Sequence, residues 1–107
     1  MSSDTAYLAQ LVESRIREYL TEVRERNEVS GVSMFDLFTR FGGEVVYRTR
    51  YAPIERTDIV TSGFFNRIIA DMKRAGIIGT AKGGERVFLS DAAWTLHLQK
   101  ASAKAGQ

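Results

Sequence analysis

Asn66, Arg67, Lys73, Arg74, Lys82 and Arg86 crowd into one short stretch of this 107-residue chain. Their side chains suit the recognition of a polyanion. An arginine guanidinium can donate in pairs to guanine O6 and N7, and an asparagine amide can bond adenine N6 and N7 together. Lysine and arginine also neutralise phosphates, and hydroxyls such as Thr61 and Ser62 can bond them when they stand beside the free amides of a helix start. A second basic set, Arg48, Arg50 and Arg56, is interleaved with Tyr47 and Tyr51. These arginines could reach phosphate or stack on a partner, while the tyrosines more readily pack into a core. Helix capping accounts for Thr61 and Ser62 equally well, and a solvated face accounts for Asn66 and Arg67.

Other chemistry finds little support. The chain has no cysteine and one histidine, His97, so thiolate nucleophiles, disulfides and zinc sites are not expected. Gly83-Gly84 is too short to cradle a nucleotide phosphate, and no Walker pattern or serine elbow is present. A proton shuttle through His97 would need a nucleophile or paired carboxylates that the local sequence does not mark. Neither catalysis nor a cofactor is expected.

The charge is uneven. Formal net charge is +2, yet residues 1–39 carry −3, residues 40–86 carry +4 and residues 87–107 carry +1. A polyanion would meet the middle segment. Hydrophobic residues make up 44%, enough for one packed domain. No run is long and apolar enough for a membrane span, and Met-Ser-Ser-Asp-Thr does not read as a secretory signal. The expected setting is the cytoplasm.

The elements that must position these residues follow from periodicity. Leu8, Leu11, Val12, Ile16, Tyr19, Leu20 and Val23 form one stripe of a helix over about 4–27, started by Ser3 or Asp4. Ser33-Met-Phe-Asp36 resembles a capping box and opens a short helix over about 33–41, which Gly42-Gly43 ends. Residues 44–51 alternate as a strand, with Val45, Tyr47, Thr49 and Tyr51 on one face. Pro53, Glu55 and Asp58 suit a short helix over about 53–60, with Thr61-Ser62-Gly63 as a tight turn. The next helix spans about 62–75, burying Phe64, Phe65, Ile68, Ile69 and Met72 and turning Asn66, Arg67, Ala70, Lys73 and Arg74 outward. Gly76 ends it. Ile77–Ala81 and Arg86–Leu89 form a hairpin across Lys82-Gly83-Gly84-Glu85. Ser90 or Asp91 caps a last helix to about 101, with a frayed tail over 102–107.

This order of elements resembles the winged helix-turn-helix family of DNA-binding regulators. The local match is Met72-Lys-Arg-Ala-Gly-Ile-Ile-Gly followed by Lys82-Gly-Gly-Glu-Arg-Val-Phe-Leu-Ser90, and the resemblance covers roughly 53–101. It implies a mostly α, α+β fold: one domain with an N-terminal helix over 1–30, a helix-turn-helix plus wing over 53–90 and a C-terminal helix over 91–101. Residues 53–60 would be the helix before the recognition helix. The alternative is that 33–41 fills that role and the strand segment is an elaboration.

The resemblance further implies a sequence-specific double-stranded DNA-binding protein, a transcriptional regulator or a DNA-organising factor of partition or phage type. Asn66 and Arg67 would read bases. Thr61, Ser62, Lys73, Arg74, Arg48 and Arg50 would hold phosphates, and Lys82 and Arg86 would enter a minor groove or track the backbone. A homodimer is expected, pairing two recognition helices about 34 Å apart. Trp94 and Leu98 either complete the monomer core or, with the stripe of the first helix, bury the two-fold interface. A different class of function is a winged-helix protein-interaction module that binds a protein partner and no DNA.

Overall fold

The computed structural model describes residues 3–48 and 54–105. Its longest element, α1, is Ser3–Glu25. The side chains that would cap it lie outside the described ones. Leu8, Val12, Ile16, Leu20 and Val23 recur at helical spacing and are all buried. Each such burial stabilises by roughly 1.5–3 kcal/mol. The helix stops short of 27 because Asn27 takes a left-handed backbone, φ 64°, which asparagine tolerates better than most residues.

A two-residue strand, β1 (Val32–Ser33), follows, with no counterpart in the sequence pattern. Gly31 leads into it at φ 75°, where a β-carbon would come 1.9 Å from the Val87 carbonyl oxygen. Only glycine fits this approach. Helix α2 is Met34–Phe41. Ser33 Oγ accepts from the Asp36 amide at 3.0 Å, which is half of the expected capping box. The Asp36 carboxylate turns elsewhere, accepting from the Tyr19 hydroxyl at 3.0 Å and from Arg40 Nε at 3.2 Å. The Arg40 guanidinium lies 4.5 Å over the Tyr19 ring. This cluster fastens α2 to α1.

Strand β2 is Gly43–Arg48 and pairs antiparallel with β3, Glu55–Val60. The helix expected over 53–60 is therefore corrected: residues 55–60 are strand, and Pro53 lies outside the described residues. Glu55 and Asp58 resemble the acids of a helix start, but Thr57, Ile59 and Val60 are β-branched and favour a pleated surface. A long-range partner decides the matter, with Gly43 opposite Val60, Val45 opposite Asp58 and Tyr47 opposite Arg56. Val45, Tyr47 and Val60 face the core and Val46 and Arg48 face out, as the alternation predicts. Thr49 and Tyr51 lie outside the described residues. Among the described residues the β2–β3 ladder does not join the other strands.

Helix α3, Ser62–Arg74, follows at once. Thr61 is its N-cap and Ser62 and Gly63 belong to its first turn, so they are not a separate turn. Strand β4 (Ile78–Ala81), a single 3-10 turn at Lys82–Gly84 and β5 (Arg86–Leu89) form the second hairpin. The three-stranded sheet has the order β1-β5-β4, all antiparallel. Helix α4 is Asp91–Ala105, so helix replaces the expected fraying through Ala105. The Ser90 hydroxyl accepts from the Ala93 amide at 3.1 Å and caps it.

The described residues form an α+β architecture with four α-helices and small antiparallel sheets. The core joins the α1 stripe to Leu37, Val45, Val60, Phe65, Ile68, Ile69, Met72, Ile78, Val87 and Leu89. The stripe of α1 is thus consumed within one chain. Among the described residues no helix is long and apolar enough to cross a membrane.

Candidate nucleic-acid interface

Helix α3 presents its polar side because its apolar residues recur at 65, 68, 69 and 72 and are all buried. Asn66, Arg67, Ala70, Lys73 and Arg74 are left exposed, as expected, while Phe64 is only half-buried. From Asn66 to Arg74 the stripe runs about 12 Å at 1.5 Å per residue. Both ends are built by local chemistry. Thr61 Oγ1 accepts from the Phe64 amide at 3.2 Å, which satisfies one of the otherwise orphaned donors. The amides of Ser62 and Gly63 stand at the exposed, electropositive end.

At the other end Gly76 has φ 77°. Its amide donates to Lys73 O at 3.1 Å and the Ile77 amide to Met72 O at 3.0 Å. This paired closure satisfies two terminal carbonyls and aims the chain into β4.

The charges on this stripe differ in how free they are. Arg67 and Lys73 have no ion-pair partner among the described residues. Arg74 Nη1 lies 3.3 Å from Asp71 Oδ1, both side chains exposed. Asp71 is the one acid of α3 and offsets part of the field there.

The tip of the second hairpin is held in an unusual backbone. Lys82, Gly83 and Gly84 all have positive φ, at 54°, 68° and 93°. Lys82 is exposed, with no partner among the described residues. Arg86 is half-buried and donates from Nη2 to the Gly31 carbonyl at 2.6 Å. It braces β5 against the turn before β1 and is less open to a partner than the sequence implies. The Met34 amide donates to Glu85 O at 2.8 Å, a further anchor for the tip.

Of the second basic set, the two described arginines, Arg48 and Arg56, lie on opposite faces of the ladder. Arg48 points out of the β2–β3 ladder, whereas Arg56 sits opposite Tyr47 on the inner face. Arg50 lies outside the described residues. Arg56 instead joins the start of α3: with Asp58, Thr61 and Phe64 it lines a hollow of about 360 Å³ against α1. Tyr47 is core, its hydroxyl donating to Asp58 and its ring 6.0 Å from that of Tyr7.

Sequence reasoning missed Arg24, which resembles a solvated-face residue of α1. Its side chain is 15% exposed. It donates to Leu89 O at 3.1 Å and to Asp91 at 2.7 Å, and lies 5.3 Å over the Trp94 ring. It thereby ties α4 and β5 to α1. His97 stacks on Trp94, with Nε2 2.8 Å from Glu25 Oε1. Trp94 packs half-buried against the core while Leu96 and Leu98 remain exposed. Among the described residues no three His, Asp or Glu side chains are grouped to hold a metal ion.

Comparison of the chain with family models, with curated proteins and with solved structures found no match in any of the three.

Proposed function

We propose that this chain is a duplex-DNA-binding module of the winged-helix type, acting by occupancy of its site and without catalysis. The observation that supports the reading is that two exposed basic features follow one another along the chain. One is the α3 stripe of Asn66, Arg67, Lys73 and Arg74; the other is the β4–β5 tip with Lys82. A helix of this width enters a major groove, and a tip with a cation at its apex follows the backbone or a minor groove beside it.

The order of elements supports the same reading. A strand, a helix, a second helix and a hairpin whose far strand pairs with the first strand is the winged-helix arrangement, with the β2–β3 ladder as an elaboration between its last two helices. In this reading Asn66 and Arg67 select bases. Thr61, Ser62, Lys73, Arg74 and Lys82 hold phosphates, and Arg86 acts chiefly as the brace of the wing. Two copies would pair α3 helices on one face of DNA, as a regulator or DNA-organising factor in the cytoplasm. The exposed Leu96 and Leu98 of α4 are available for pairing the two copies.

Fluorescence anisotropy with duplex DNA across a salt series tests this. The log–log slope steepens by about 0.9 for each phosphate neutralised. Salt-dependent binding that Arg67→Ala weakens supports the reading, and absence of binding at low salt refutes it. A second reading, a protein-interaction module, is favoured by Phe35, 80% exposed on α2, and by Val46 and Ile59 on the outer face of the β2–β3 ladder.

A further inference from the structure

Side chains alternate along β5. Val87 and Leu89 enter the core beside α3, so Arg86 and Phe88 face the opposite side of the sheet. On that outer side lies a hollow of about 610 Å³, a volume in the range of small-molecule sites. Its floor is the half-buried ring of Phe88. The ring lies across Gly79, its cross-strand partner: a β-carbon at 79 would meet it at 2.5 Å. Glycine therefore gives the flat apolar surface its place. Val29, 59% exposed, forms an apolar wall from the turn after α1.

The rim is cationic. Arg24, Lys82 and Arg86 line the hollow against one carboxylate, Asp91. Both arginines are already fixed by hydrogen bonds to backbone carbonyls, Arg24 to Leu89 and Arg86 to Gly31. A guanidinium has five N–H donors, so each keeps others for a ligand. Holding them in advance lowers the ordering cost of binding. Lys82 brings a charge with no partner among the described residues, and the carboxylate of Asp91 answers Arg24.

We propose that this hollow binds a small organic anion whose flat apolar body rests on Phe88 and Val29 and whose carboxylate or sulfonate meets Arg86 and Lys82. The site lies on the face of the sheet away from α3, and its occupation does not depend on the DNA reading.

The probe is anilinonaphthalene sulfonate, an aryl sulfonate, titrated into the folded protein by fluorescence and displaced with benzoate. Saturable one-to-one binding is expected. Lys82→Gln should weaken it by roughly tenfold, the effect of removing one charge-assisted hydrogen bond. Val29→Asp should weaken it at least as much, by adding a carboxylate to the wall. Both positions are exposed, so both variants should keep the parent melting temperature; Lys73→Gln, which does not line the hollow, should bind like the parent. N-phenylnaphthylamine, the same body without the sulfonate, should bind far more weakly. No saturable binding, binding unchanged in both folded variants, or equal binding of the neutral analogue would each overturn the proposal. Because no DNA enters the assay, its failure and the failure of DNA binding are separately visible.

Discussion

The ring of Phe38 on α2 stands edge-on to the ring of Phe65 on α3, centroids 5.3 Å apart and planes at 70°. The whole β2–β3 ladder lies between these residues in sequence, yet the two helices meet directly. The pair fixes how α3 sits against α2. Phe65 is 1% exposed, so Phe65→Ala should cost about 3–5 kcal/mol in urea unfolding. Phe38→Ala should cost less, because Phe38 is only half-buried. A double-mutant cycle should return a coupling of about 0.5–1.5 kcal/mol for the rings themselves. Purely additive costs would show that the rings do not act as a pair.

On the DNA reading, Arg67→Ala and Lys82→Ala should each lower affinity while leaving the melting temperature unchanged, since both side chains are exposed and make no ion pair among the described residues. Each phosphate left without its cation should flatten the salt slope by about 0.9. Asp71→Asn should raise affinity, because it removes a negative charge and releases Arg74. Anisotropy titrations at several salt concentrations measure all three.

Tyr19 gives a pH signature. Burial first, and then the hydrogen bond and negative charge of Asp36, hold its phenol above the ordinary value of 10.0. The fold therefore favours the neutral hydroxyl. That contribution is complete below pH 10 and is lost as pH rises through the folded-state value. Unfolding followed by circular dichroism from about pH 8 to 11 should show the parent losing stability relative to Tyr19→Phe at the alkaline end. Parallel curves would mean that the fold does not hold the Tyr19 phenol above its ordinary value.

Two glycines with similar φ should respond differently to alanine. At Gly76 a β-carbon meets nothing within 4 Å, so the cost is that of the left-handed backbone alone, about 1–2 kcal/mol. At Gly31 the added carbon strikes the Val87 backbone. Gly31→Ala should therefore cost distinctly more and loosen β1 from β5, seen as faster amide exchange at Val87. Equal costs at the two sites would contradict the close approach.

Elements whose burial repeats within themselves are legible in the sequence. The α1 stripe, the two faces of α3 and the Gly-Gly hairpin each carry their own period or turn chemistry. Residues 55–60 are not legible, because six residues with acids near one end suit either state until β2 supplies its partner. The two residues of β1 carry no period at all. The candidate site divides the same way. Exposure of Asn66, Arg67 and Lys73 follows from helical phase, whereas the bond of Arg86 to Gly31 and the reach of Arg24 to Leu89 depend on chain segments far away in sequence.

The first and last residues of the β2–β3 ladder, Gly43 and Val60, are themselves a pair, so the chain leaves and re-enters the body within about 5 Å. The excursion is a closed detour. Its far end can lengthen, shorten or change composition without altering the distance that separates α2 from α3. Val45, Tyr47 and Val60 tie the base of the ladder into the core, so its outer face and far end are the parts that can be remodelled while the Phe38–Phe65 pair stays as it is.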